Sequence, residues 1–330
     1  MISIIEEDKP DKDWNKRLLK SGLGTIYQTA ERAVYVKKVG VPVKFLKFID
    51  NSGEIIGQLL IIFQPRFNSV GIRSKILKNT PFSKKTSCNW SYGPIIFNPD
   101  TQNNVYLTLV DYLKSHNYVV SGWTHPLSQH NLKGIDDNYR LQKWGTYLID
   151  LKQDINSLYK NIDKHSGQKN IERSIKRGVT IEQLSENTLT DYVELINKSR
   201  RKDQQPADLD FFKFRWNIFH PLGYSGFLTR KDGIPIGGLL FSNFNGHIIE
   251  IGVARSQQDT KEKLYSQDLI KWNIIEWGTK NKMRYYDLTG FNPNPISQKE
   301  KGIEKYKRKW GGKTYYYYRI LEKPGLLTKK

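Results

Sequence analysis

Cysteine is almost absent: Cys88 stands alone in 330 residues. One thiol excludes an internal disulfide framework and any cysteine-based zinc site, and a small buried side chain is its expected role. The six histidines, at positions 116, 125, 130, 165, 220 and 247, show no H-E-x-x-H or other ligand spacing, so no metal is expected. Long apolar runs are missing too. The most apolar stretch, IIGQLLIIF at 55–63, is far too short to cross a bilayer. The polar, acidic start Met1–Trp14 does not read as a signal peptide. A cytoplasmic protein is the expectation, with peripheral contact at the inner face of the membrane left open. The sequence has no G-x-S-x-G elbow and no P-loop.

Acidic residues are also scarce: 33 Asp and Glu face 53 Lys and Arg, a formal net charge of +20. Such an excess does not choose a fold. It favours anionic partners, whether RNA, nucleotide diphosphates or an anionic membrane surface. A composition rich in Lys, Asn, Ile and Tyr produces the same excess without any partner.

What the chain does have is length enough for two domains, and an internal echo. DNSGEIIGQLLI (50–61) and RKDGIPIGGLLF (230–241) share Gly53 and Gly233, Ile56 and Ile236, Gly57 and Gly237, and the paired leucines 59–60 and 239–240, all at one constant offset. Each copy reads as strand, Gly turn, strand. The same order then follows in both halves: a strand (89–97; 247–254), a helix (103–117; 264–281) and a further strand leading to a Pro. Repetition of one order predicts duplicated α+β (α/β) domains, placed at 1–150 and 151–330 and packed with a cleft between them.

In the second half, Ile155, Leu158 and Ile162 predict an amphipathic helix beginning near Asp154. Ser166-Gly167 interrupts it, and QKNIERSIKRG resumes helically to stop at Gly178. KGIEKYKRKWGGKTYYYYRI (301–320) looks at first like a basic tail for nucleic acid. Its pattern is that of a folded helix, turn and strand. Ser297 and Glu300 form a capping box, and Ile303, Tyr306 and Trp310 make a stripe that predicts a buried face. Lys305, Lys307, Arg308 and Lys309 fall on the other faces, near the end where the helix dipole favours cations. Gly311-Gly312 stops the helix, and the tyrosines alternate as in a strand.

These residues carry a resemblance. RYYDLTGFNPNP…KGIEKYKRKWGG is similar to the C-terminal signature of the Fem-type (FemA/FemB/FemX-like) aminoacyltransferases, and LYKNIDKHSGQKNIERSIKRGV (158–179) resembles their basic Asn-Ile helix. SGLGTIYQTAERAVYVKK (21–38) and YGPIIF (92–97) look like their first-domain segments. The resemblance runs over nearly the whole chain. It implies two tandem GNAT-like acyltransferase domains, each a mixed, mostly antiparallel sheet flanked by helices. The first would bind the acceptor, and the second would bind the donor and catalyse. It further implies transfer of an amino acid from aminoacyl-tRNA to an amine of a peptidoglycan-type precursor, nucleotide-linked or lipid-linked. The long helical insertion of some members has no counterpart between 180 and 230.

An aminoacyl ester is already activated, so its transfer needs a neutral acceptor amine, donors for the oxyanion and correct geometry, rather than a nucleophile. Lys307, matching the Lys of the family's aromatic-Lys motif, is the candidate for the oxyanion or the departing 3′-oxygen; otherwise it is a solvated cation at a helix end. Asp287, at a strand end, is a candidate for orienting or deprotonating the acceptor; otherwise it caps a loop. Glu250, alone among apolar neighbours in HIIEIGVA, is a candidate base with a raised pKa; otherwise it is paired or solvated. Arg173, Lys176 and Arg177 are candidate phosphate binders on a basic helix. Tyr286 and Tyr306 are candidate substrate contacts, with core packing as the plain alternative. No cofactor is implied beyond the charged tRNA as co-substrate. The turn ARSQQDTKEK (254–263) has no glycine, which argues against acyl-CoA. An acyl-CoA-dependent N-acyltransferase acting on an amino sugar or surface-glycan precursor remains the alternative enzyme. An RNA-binding module is the non-enzymatic one, without the RRM, KH or OB motifs that would support it.

Overall fold

In the computed structural model, which describes residues 1–65, 86–128, 132–135, 137, 139–200 and 205–323, one arrangement of elements occurs twice. The chain divides into a first unit, Met1–Gly145 with Tyr316–Lys330, and a second, Thr146–Tyr315. The sequence reading carried the second domain to the end of the chain. In the structure the last strand leaves that unit at Tyr316.

In the first unit β1 (Ser3–Glu7), β2 (Val43–Ile49), β3 (Ile55–Pro65) and β4 (Thr86–Trp90) pair antiparallel in sequence order. Helices α1 (Trp14–Ser21) and α2 (Ala30–Lys38) lie between β1 and β2. After the two-residue β5 (Ile95–Ile96), helix α3 (Gln102–Ser115) crosses over to β6 (Val119–Trp123), which runs parallel to β4. Residues Arg319–Leu321 of the last strand pair antiparallel with β6. Helix α3 buries Val105, Tyr106, Leu109, Val110 and Leu113 against Leu46, Phe48, Leu59, Ile61, Cys88 and Val120 of the sheet. Cys88 is fully buried, as expected.

The second unit begins within β7 (Tyr139–Asp150) and continues through α4 (Ile155–Asn161) and α5 (Lys169–Lys176). Strands β8 (Val179–Gln183), β9 (Tyr224–Lys231), β10 (Ile234–Ser242) and β11 (His247–Arg255) then pair antiparallel in order, with α6 (Leu189–Ser199) and α7 (Leu209–Phe219) between β8 and β9. A short α8 (Gln257–Lys261) and the long α9 (Ser266–Lys280) lead to β12 (Tyr285–Phe291), parallel to β11. Helix α10 (Gln298–Arg308) and strand β13 (Lys313–Glu322) follow. The local signals act as read. Asp154 caps α4 by accepting from Ser157 N, the Ser297/Glu300 box caps α10, and Gly178 takes φ 70° after α5. The Ser166-Gly167 interruption is a π-helical turn, Lys164–Gln168. At the echoed hairpins Gly53 and Gly233 sit at φ 85° and 78° with open space where a Cβ would be, so backbone conformation rather than crowding requires glycine.

The two units part company at their parallel strands. In the first, β4 and β6 stay paired through Trp90 and Gly122. The Trp90 indole, donating to Gly93 O at 3.0 Å, covers Gly122 so closely that a Cβ there would lie 1.9 Å from the ring. In the second, β11 and β12 pair only over His247–Ile249 and Tyr285–Asp287. Beyond that point β11 runs on to Arg255, and its Glu250, Val253 and Arg255 line a cavity.

Candidate active site

The cavity, of about 880 Å³, is lined by β11 (Glu250, Val253, Arg255), by Thr289 within β12, by Tyr265, Gln267, Asp268 and Lys271 around α9, and by α10. Glu250 and Val253 are three positions apart and would face opposite ways on a regular strand. A bulge corrects the phase: Leu240 pairs with Gly252, and the next residue, Phe241, pairs with Glu250. Helix α10 contributes Lys299, Gly302, Ile303, Tyr306 and Lys307, spaced as one helical face. This corrects the expected buried stripe. Trp310 is buried, but Ile303 is 38% exposed, because the face it shares with Tyr306 looks onto the cavity rather than the core.

Lys307, read as lying off the packed face, is largely withdrawn from solvent. It donates to Gly290 O at 2.7 Å and to Thr289 Oγ1 at 3.4 Å. Burial brings its pKa down to about 8, against a partial upward pull from Glu250. Asp287 does not line the cavity. It is fully buried and accepts from Thr146 Oγ1 at 2.5 Å and Thr289 N at 2.7 Å, with His247 Nε2 at 3.7 Å. Asp287 thus ties down the Thr289–Gly290 segment of β12 on which Lys307 rests.

Glu250 lines the cavity as half of an ion pair. Lys271 Nζ contacts it directly, and Tyr286, fully buried, donates its hydroxyl at 2.6 Å. Burial, then the Glu250 charge, pushes the Tyr286 phenol well above its ordinary value, so it stays a donor. A second buried pair joins Lys309 to Asp268, supported by Asn170 Nδ2 at 3.3 Å and Ser166 O at 2.8 Å. Desolvation raises the Asp268 pKa and lowers that of Lys309. Tyr306 lies between the pairs, with Lys309 Nζ 4.3 Å and Lys271 Nζ 5.7 Å from its ring centre. Its hydroxyl is buried and has no hydrogen-bond partner among the described residues.

Arg173 and Arg177 are exposed and flank the cavity residue Tyr265, their guanidinium carbons 6.0 and 5.5 Å from its ring centre. Lys176 is exposed and lines none of the described cavities. Arg255 is shared with an adjoining cavity of about 460 Å³ lined by Lys198, Arg200, Ser256 and Lys261. Sequence reasoning missed Lys271, Asp268, Thr289 and Gly302. Lys271 had a signal, a lysine between Ile270 and Trp272 on a helix otherwise apolar there. Among the described residues no His/Cys/Asp/Glu group suits a metal ion, and no helix is long and apolar enough to cross a membrane.

Gly302 offers a clean test of the cavity. A Cβ there meets nothing within 4 Å, and glycine inside a helix costs about 0.5–1 kcal/mol relative to better helix formers. Gly302→Leu should therefore hold or raise stability in urea titrations while filling the cavity and removing turnover. Unchanged turnover would place the chemistry elsewhere.

No protein-family model matches the sequence, and no curated protein sequence matches it. The structure does match known ones. FemX aligns with a TM-score of 0.67 at 13% identity, over 96% of this chain and 97% of that one. L-PGS from Bacillus licheniformis aligns with a TM-score of 0.57 at 13% identity, covering 97% and 95%. A tandem GNAT protein from the clavulanic acid biosynthesis pathway aligns with a TM-score of 0.56 at 10% identity, covering 98% and 100%. The chain has the tandem GNAT fold.

Proposed function

We propose that the protein is an aminoacyltransferase, moving the aminoacyl group of a charged tRNA onto an amine of a cell-envelope precursor and forming an amide. The observation that carries this reading is Lys307, held by Thr289 and Gly290 of β12 in a cavity whose described lining contains no Ser, Cys or His. Such a site suits a donor that arrives activated. The acceptor amine attacks the ester carbonyl, the Lys307 ammonium meets the charge developing on oxygen, and the tRNA 3′-oxygen leaves with a proton. Asp287 positions that ammonium through Thr289. The Glu250–Lys271 pair and Tyr306 shape the wall. Arg173 and Arg177 near Tyr265, together with Arg255 and Lys299, present cations to a phosphate backbone. The four segments resembling Fem-type enzymes, and the fold shared with FemX, support an aminoacyl donor.

A second reading is supported by the smaller basic cavity, which sits at the turn after β11. It suits the diphosphate of an acyl-CoA, and the acceptor would then be an amino sugar of a surface glycan. A donor screen separates the two: radiolabelled aminoacyl-tRNAs against acyl-CoAs, each with nucleotide-linked and lipid-linked acceptors. Binding of the cognate tRNA should fall steeply with salt, with a log–log slope of about −0.7 per phosphate contact. Tight, saturable acyl-CoA binding with no tRNA binding would replace the first reading by the second.

A further inference from the structure

We infer that Glu250 reads the α-ammonium of the donor: the unoccupied oxygen of its carboxylate accepts from that nitrogen and so selects aminoacyl groups over plain acyl groups. This rests on the reading of the protein as an aminoacyltransferase and names what its cavity selects. Glu250 and Asp268 are the acids of the described lining. Both Asp268 oxygens are engaged, Oδ1 by Lys309 and Oδ2 by Asn170 Nδ2 at 3.3 Å. On Glu250 both internal donors fall on one oxygen: Oε1 takes Lys271 Nζ and the Tyr286 hydroxyl, the latter at 2.6 Å. Oε2 has no donor among the described residues, and Glu250, its side chain 8% exposed, lines the cavity.

The carboxylate is held ready for this use. Tyr286, its phenol pushed well above the ordinary value by burial and by the Glu250 charge, stays protonated and keeps donating. Lys271 holds the same oxygen from α9. Two donors on Oε1 set the direction of Oε2, and an acceptor already fixed by internal partners costs little to order when a ligand arrives. The strand register brings it to the reacting end of the cavity. Ile249 is the last β11 residue paired with β12, opposite Asp287. Glu250 follows at once, and Thr289, which receives Lys307, lies two residues beyond Asp287. Lys307 feels this neighbour: burial lowers its pKa, and the Glu250 charge pulls it partly back up.

An aminoacyl ester carries its α-nitrogen on the carbon next to the reacting carbonyl. The cavity wall offers an acid and a cation as neighbours in the same way, Glu250 for the ammonium and Lys307 for the oxygen that gains charge. The acid suits the nitrogen that does not react. A carboxylate beside the acceptor amine would favour its protonated form and hold back its attack. A free α-amino group titrates at about 7.7–8.0, so near pH 7 part of it is neutral. Beside Glu250 it stays charged. The charge draws electrons from the ester carbonyl and keeps the α-nitrogen from attacking a second donor. A simple acyl group has no nitrogen to offer Oε2.

The test uses stable mimics of a charged tRNA end, 3′-amino-3′-deoxyadenosine bearing a glycyl, L-alanyl, L-seryl or L-lysyl amide, each paired with the amide that lacks only the α-amine. In calorimetry with the full chain, the aminoacyl member of a pair should bind roughly ten- to a hundredfold tighter, the worth of a hydrogen bond between charged groups. Glu250→Gln keeps Oε1 for Lys271 and Tyr286 but sets an NH₂ donor where Oε2 was, and should abolish the preference. Glu250→Gln combined with Lys271→Met leaves no unpaired buried lysine, so it should fold and should also show no preference. Lys271→Met alone keeps the carboxylate on Tyr286 and should keep or enlarge the preference. Equal binding within every pair, lost for both members in Gly302→Leu, overturns the role of Glu250 and leaves the cavity as the acyl site. A preference that persists in both Glu250 variants gives the α-ammonium to another acceptor and overturns the inference as well. Saturable binding of acyl-CoA with no binding of any adenosine amide overturns the aminoacyl reading, and the inference with it.

Discussion

Lys307→Met is expected to lose transfer by roughly a hundredfold or more, while the protein becomes more stable at neutral pH. The rate loss follows from removing a charged donor from the developing oxyanion or leaving oxygen, worth on the order of 2.7–4 kcal/mol. The stability gain follows from linkage. Burial lowers the Lys307 pKa from 10.5 to about 8, with Glu250 and Asp287 pulling it up and Lys271 pushing it down. Between those values the unfolded chain keeps the proton and the folded chain has released it. Stability therefore rises with pH across this window, and below pH 8 the folded state carries the cost of a buried ammonium. Methionine carries no such cost and forms helix well. At pH 7 the variant should gain up to about 3 kcal/mol in denaturant titrations, and the gain should vanish as pH passes 10.5. Near-normal turnover with a cognate donor and acceptor would reduce Lys307 to a prop for Thr289 and Gly290 of β12.

Trp310→Ala should produce the reverse pattern, a loss of about 3–5 kcal/mol from the second unit through cavity formation. Trp310 is 1% exposed and belongs to the core that includes Leu151, Leu158, Ile162 and Ile171. Its Nε1 is buried without a hydrogen-bond partner among the described residues. Trp310→Phe, which removes that orphaned donor and keeps most of the ring, should therefore cost much less than the alanine variant. Equal losses for the two would mean that the indole N–H has a partner after all. Loss of turnover in Trp310→Ala without loss of stability would place Trp310 at the chemistry rather than in the core.

The repeated element order, the hairpin glycines, the Ser297/Glu300 box and the helix stops around 178 and 311 were all legible in the chain. Each depends on residues within a few positions of one another, where backbone hydrogen bonds and preferred dihedrals act. The cavity face of α10 was half legible. Helical spacing groups 299, 302, 303, 306 and 307 as readily as it groups 303, 306 and 310, and periodicity alone does not say whether a face meets core or cavity.

Tertiary structure alone decided the state of the charged groups. Glu250 stood in the sequence as a solitary acid, and only the packing of α9 against β11 brings Lys271 to it. Lys307 stood as one of a run of cations, and only the β12 segment fixed by Asp287 and Thr146 withdraws it from water and sets it beside Thr289. The physical reason is range. Capping and turn formation are satisfied by neighbours along the chain, whereas desolvation and ion pairing depend on which distant segments exclude water from a given atom. A plain sequence fixes the first set of interactions. The second exists only once distant segments have packed around the cavity and shut water out of its walls.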